Sequence, residues 1–253
     1  MMKRRRLPAL AALVFIGSFM PGAHAHATAS THIWAPSTDV QAFGLWHVTS
    51  DMYLPIGKDA AGNHIPTVTN IGVTVGVLPM KMFNMEIGLD HKSGFGPLDG
   101  YPMYGNAKMG IPENAFGSFS PAMAVGVFDV GTKSDQTDYN VVYGKIAKTF
   151  SAGEMSLGRF SAGYFAGNER LLLDGSGGKD NSGLLTAWER TMTEVSDRLW
   201  ICLEYMGSGS AYGSFNIGAS WKFAGNVSMI GGYSMFNNDD LVNTTTLQVD
   251  IDI

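Results

Sequence analysis

The residues whose types could move a proton or an acyl group are few. His47 stands three positions before Ser50, Asp51 follows, and His91 lies apart. A histidine that activates a serine, steadied by a carboxylate, is the smallest hydrolytic arrangement. The spacing works against it here, because residues i and i+3 of an extended strand project to opposite faces. A base at His47 or His91 would therefore need a partner from a different strand. Two other stretches, Asp174 to Asn181 and Asn237 to Asp240, offer oxygen atoms to a calcium ion. Neither has the spacing of an EF-hand loop, and both read as solvated loops. Methionine is frequent at 15 residues, but Met85, Met229 and Met235 fall on apolar faces, where methionine is filler. No catalytic, cofactor or metal set is expected.

The elements that must carry any site begin after a leader. Lys3, Arg4, Arg5 and Arg6 precede the apolar run Leu7 to Met20, and Pro21-Gly22 ends it. Ala23-His24-Ala25 and Ala25-His26-Ala27 then each offer the small-x-small pattern read by a signal peptidase. The apolar run is shorter than the ~20 residues of a spanning helix, so residues 1–27 are expected to be removed after Ala25 or Ala27. Cys202, the single cysteine, lies far from any lipoprotein position and excludes a disulfide framework. Losing the four leader charges moves the net charge from −5 to −9, which disfavours nucleic acid as a partner.

Residues 28–253 alternate with a period of two, the pattern of strands with two unlike faces. Ile71, Val73, Val75 and Val77 oppose Asn70, Gly72, Thr74 and Gly76. Phe83, Met85, Ile87 and Leu89 oppose Asn84, Glu86, Gly88 and Asp90. Phe215 to Phe223 and Leu247 to Ile253 repeat the pattern. The polar faces carry mostly Gly, Ser, Asn and Thr, which suits a crowded interior better than bulk water. Trp46, Tyr53, Phe83, Tyr101, Phe150, Trp200, Phe223 and Phe236 gather near strand ends, as interfacial aromatics do.

Strands are expected at about 40–53, 68–77, 82–90, 101–110, 118–130, 138–150, 154–166, 183–190, 195–206, 211–223, 227–236 and 243–253, about twelve in all, with 10–14 admissible because 40–54 and 118–130 alternate poorly. Compact connections (78–81, 111–117, 151–153, 191–194, 224–226) alternate with mostly longer ones (54–67, 91–100, 131–137, 167–182, 207–210, 237–242), as periplasmic turns alternate with outer loops. A four-residue turn at 191–194 would make Glu189 and Arg198 diagonal neighbours. A three-residue turn at 224–226 would set Phe223 against Val227, Trp221 against Met229 and Lys222 against Ser228. At 151–153, pairing Phe150 with Glu154 would place Lys145 opposite Arg159.

The terminal Leu247, Val249, Ile251 and Ile253 resemble the last strand of bacterial outer-membrane β-barrel proteins as a class, departing from the commoner aromatic ending. The resemblance implies a transmembrane antiparallel up-and-down β-barrel in the outer membrane, contact with its lipid, and recognition by the barrel-assembly machinery. The inward set expected from the alternation is Glu86, Asp90, Glu189, Arg198, Glu204, Asn216, Lys222 and Asp250. Such residues could line a water-filled lumen or pair to close it, and a barrel of about twelve strands allows either. The leading expectation is a narrow passive, porin-like channel for small solutes. A closed structural, docking or adhesive barrel comes second, and a barrel enzyme acting on lipid or peptide third.

Overall fold

The computed structural model describes residues 30–59 and 61–253. The expected leader and its cleavage positions, Ala25 and Ala27, lie outside the described residues. Twelve strands follow one another: β1 (Trp46–Pro55), β2 (Val68–Gly76), β3 (Asn84–Ser93), β4 (Met103–Ile111), β5 (Ala122–Gly131), β6 (Val141–Ala152), β7 (Met155–Ala166), β8 (Ser182–Thr191), β9 (Leu199–Met206), β10 (Ser214–Ala224), β11 (Val227–Phe236) and β12 (Thr244–Asp252). Each pairs antiparallel with its neighbours in sequence, and β1 pairs with β12, from His47 opposite Asp252 to Pro55 opposite Thr244. Closure leaves no sheet edge, so every backbone donor and acceptor of a strand finds a partner without water.

The alternation read from the sequence becomes two walls. Ile71, Val73, Ile87, Leu89, Val125 and Ile146 project outward and are 37–61% exposed. An apolar belt of that extent is unfavourable in water and favourable in a hydrocarbon medium. Trp46, Phe150, Trp221 and Phe223 are exposed at the mouth that also carries the two ends of the strand sequence. Tyr53 and Trp200, grouped with those aromatics on sequence grounds, point into the lumen instead. Trp200 is 1% exposed and donates its indole hydrogen to Glu189.

Several registers differ from expectation. Thr191 faces Trp200 and Glu189 faces Cys202, so the β8–β9 connection runs from residue 192 to 198 and Arg198 sits exposed within it. Ser196 and Met192 form the connection's own backbone bonds, which lengthens it beyond a four-residue turn. Trp221 faces Met229 and Lys222 faces Ser228 as expected, but a bulge at Phe223 brings Ala224 opposite Val227. In the β6–β7 hairpin Thr149 faces Arg159 and Lys145 faces Gly163.

The larger difference is at the start. Residues 40–45 do not extend β1; residues 30–41 form a segment that runs inside the barrel, and 42–45, with Phe43 exposed, lead from it into β1. His32, Ile33, Ala35, Ser37, Thr38 and Gln41 are each 4% exposed or less. Glycines on the wall make room for it: a β-carbon at Gly218 would lie 2.8 Å from Ile33 Cδ1, and one at Gly76 only 2.0 Å from the Ala42 carbonyl oxygen.

Candidate functional site

The buried wall charges meet this inner segment as well as each other. Glu204 on β9 accepts the backbone N–H groups of Trp34 at 2.7 Å, Ala35 at 3.1 Å and Ile33 at 3.3 Å, and Asn216 Nδ2 on β10 at 3.0 Å. An extended segment that cannot join a ladder must place its donors elsewhere, and a carboxylate holding three of them replaces the missing strand. Glu86 on β3 accepts from Gln41 N at 2.7 Å and faces Lys108 Nζ at 3.2 Å. Arg159 on β7 donates to both oxygens of Asp39, at 2.8 and 2.7 Å, and to Thr38 Oγ1. Lys145 Nζ donates to Pro36 O at 2.9 Å, Lys108 Nζ to Ser30 O at 3.0 Å, and Gln248 Nε2 to Ile33 O at 2.7 Å.

His32 lies 3.2 Å from Glu189 and 3.7 Å from Glu204. Its ring nitrogen, the Cys202 sulfur and a Glu204 oxygen all lie within 4.8 Å of one another. Lys145 Nζ is 3.3 Å from His32 Nδ1, so the cluster already contains an ammonium. These groups form an ion-pair network that pins the segment.

The segment divides the lumen. Toward β6–β11 the space is full: Ala35, Val141, Phe165, Leu172, Leu185 and Met206 form one buried cluster, and Ile33, Ala187, Trp200, Cys202 and Ile230 another. Toward β1–β5 it is hollow. A cavity of about 140 Å³ runs past His47, Thr49, Asp51, Asn70, Asp90 and Asn106. A second cavity, about 280 Å³ and mainly apolar, lies beyond it at the mouth that carries the long connections, against Ile65, Phe95, Phe236 and Leu241. Both are lined by Trp34, Tyr53, Lys92, Asp129 and Tyr212.

Those five residues stand where the two cavities adjoin. Trp34 meets Tyr53 edge-on at 5.1 Å and Tyr212 at 6.1 Å. Asp129 binds Lys92 at 2.5 Å and accepts the Tyr212 hydroxyl. A bulge puts Asp129 there: Gly105 faces Val130 while Ala107 faces Val127, so Phe128 and Asp129 together oppose Asn106 alone and β5 carries one extra residue. Asp129 has φ of 53°, a conformation an aspartate holds only when its surroundings impose it. Closed strands and an outward apolar belt make this a twelve-stranded antiparallel barrel whose outer wall suits a hydrocarbon medium.

No protein-family model and no curated protein matches the chain. Among solved structures it is similar to an outer membrane channel from Pseudomonas putida F1, with 10% identity, 83% of this chain and 94% of that chain covered, and a TM-score of 0.44. It is also similar to Salmonella typhi OmpF in complex with daunomycin, with 9% identity, 83% and 96% covered, and a TM-score of 0.42.

Of the residues assigned inward on sequence grounds, Glu86, Glu189, Glu204, Asn216 and Asp250 are 5% exposed or less, while Asp90 and Lys222 are half-buried. Arg198 is the departure, because it lies outside β9 and never approaches Glu189. His47 and Asp51 share the inner face and Ser50 faces out; His91 is exposed. Asp174, whose carboxylate caps Ser176 and Gly178 at 2.8–2.9 Å, shapes its own loop. Sequence reasoning missed Lys92, Asp129 and Tyr212. The poor alternation at 118–130 was the available signal of the bulge.

Proposed function

We propose that this barrel is a narrow passive channel of the outer membrane, with residues 30–41 as its internal constriction. The observation that carries the reading is the stacking of two cavities along β1–β5, joined at Trp34, Tyr53, Lys92, Asp129 and Tyr212. A closed structural barrel has no need of a hollow flank, since filling it with side chains would add burial and remove unpaired polar surface. The acidic, asparagine-rich inner chamber suits a hydrated passage, and the apolar outer cavity forms a vestibule. Processing near Ala25 or Ala27 and insertion by the barrel-assembly machinery belong to the same reading.

Bilayer recording tests it. The intact barrel should show small, steady conductance steps. Trp34→Ala removes one wall of the constriction without touching any charged anchor, and should enlarge those steps severalfold. A barrel that stays silent in both forms rejects the channel and leaves the closed, docking role.

A further inference from the structure

We infer that the inner chamber holds and selects small monovalent cations, with Asp51 and Asp90 as the carboxylates that face them; this rests on the channel reading above. The argument is a charge account of one wall. Of the carboxylates that line the chamber, Glu86 is matched by Lys108 and Asp129 by Lys92. Asp51 is matched by neutral groups, and Asp90 shares the Lys92 charge with Asp129, its own hydrogen bonds coming from neutral amides. Thr49 donates to Asp51 at 2.6 Å, Asn106 to Asp90 at 2.6 Å, and the Asn70 amide nitrogen bridges the two acids at 3.1 and 3.2 Å. Bridging through nitrogen leaves the Asn70 amide oxygen buried without a donor. The result is a cluster of oxygen atoms beside an open cavity, and oxygen is what hard cations take as ligand.

A second observation lies behind Thr49. Asp250 is its direct partner on β12 and is 4% exposed, yet neither of its carboxylate oxygens has a hydrogen bond. Its nearest cationic partner is His47, which lines the same chamber. The His47 Nε2 is 3.4 Å from Asp250, while Nδ1 is 2.9 Å from Asp252. One imidazole therefore serves two carboxylates. A buried carboxylate without a full counter-charge is unfavourable, so this wall draws positive charge from solution. Cations exchange between Asp51 and Asp90 in the field of Asp250 behind Thr49, and pass the Lys92–Asp129 pair that borders both cavities. Anions meet the same field as a barrier.

The test is the reversal potential of the full-length processed barrel in a KCl gradient, with the Asp51→Asn/Asp90→Asn double variant beside it. The expected result is cation preference in the original and a severalfold loss of that preference in the variant. A conducting barrel with no preference, with anion preference, or with a preference the variant retains would overturn the inference while leaving the channel intact. The unfolding midpoint in KCl is compared with that in N-methylglucamine chloride at equal ionic strength. A potassium-specific rise that the double variant loses supports cation occupancy even in a silent barrel, where only the channel reading fails. No potassium-specific rise in a silent barrel overturns the inference.

Discussion

The two flanks of the lumen are built from one sheet yet do opposite things. Between β6 and β11 the inner wall offers Val141, Phe165, Leu185, Trp200 and Met206, and the inner segment answers with Ile33 and Ala35, so the space closes by apolar packing. Between β1 and β5 the wall offers Thr49, Asp51, Asn70, Asp90 and Asn106, which hydrogen-bond one another and leave volume between them. Apolar side chains lower their free energy by filling space, whereas short polar ones are satisfied by each other and by water. The barrel shape is common to both flanks; inward residue type decides which one is filled and which one is hollow.

The sharpest way to break this comparison is at the segment's main anchor. Glu204→Leu removes the acceptor of three backbone donors in a site 1% exposed and leaves Lys145 and His32 short of negative charge. A loss of about 3–5 kcal/mol in urea unfolding is expected; a loss below about 1 kcal/mol would mean that the filled flank holds without it. Leu172→Ala, in the long β7–β8 connection, opens a hole in the same flank at a fully buried position. That change should cost about 2–4 kcal/mol.

On the hollow flank the expected effects are smaller. Asn106→Ala deletes the 2.6 Å bond to Asp90 but leaves room for water to replace it, so the unfolding free energy should fall by less than about 1.5 kcal/mol. The smallest effect lies at the mouth near the strand ends, where Glu113 accepts Thr149 N at 2.9 Å and Thr149 Oγ1 at 2.8 Å and pairs with Lys148 at 3.1 Å. Partial burial pushes its carboxyl up, but those donors outweigh it and hold it below its usual value of 4.5. A depressed folded value means stability that is present above the unfolded value and lost as pH falls through the folded one. Glu113→Gln should therefore cost less than about 1 kcal/mol at neutral pH, with the difference from the parent vanishing in acid.

The barrel was legible because its outer wall obeys a strict period. Twelve strands and the directions of Glu86, Glu189, Glu204, Asn216 and Asp250 follow from Val, Ile and Leu at alternate positions facing an apolar medium. The contents of the lumen were not legible for the opposite reason. Residues 30–41 have no period of their own, since they are shaped by partners as remote as Glu204 and Gln248. Residues 40–54 and 118–130, where alternation weakens, are where the inner segment joins β1 and where the bulge turns Asp129 inward. Arg198 was misplaced because a turn's length is set by its own backbone bonds, here those of Met192, Val195 and Ser196, which leave little trace in hydropathy.

The pairing of β1 with β12 joins the two most distant strands of the sequence, and the inner segment precedes β1. Contacts of such sequence separation form late and slowly, so the segment waits in the half-made sheet for the seam that will enclose it. Once the seam zips, Trp34 and Asp39 are inside a ring whose every rung is hydrogen-bonded. Threading a segment through a finished ring is a different and harder problem than wrapping the ring around it. Assembly order is thus written into the topology: the occupant of the pore is the first part of the described chain, and the last strand locks it in.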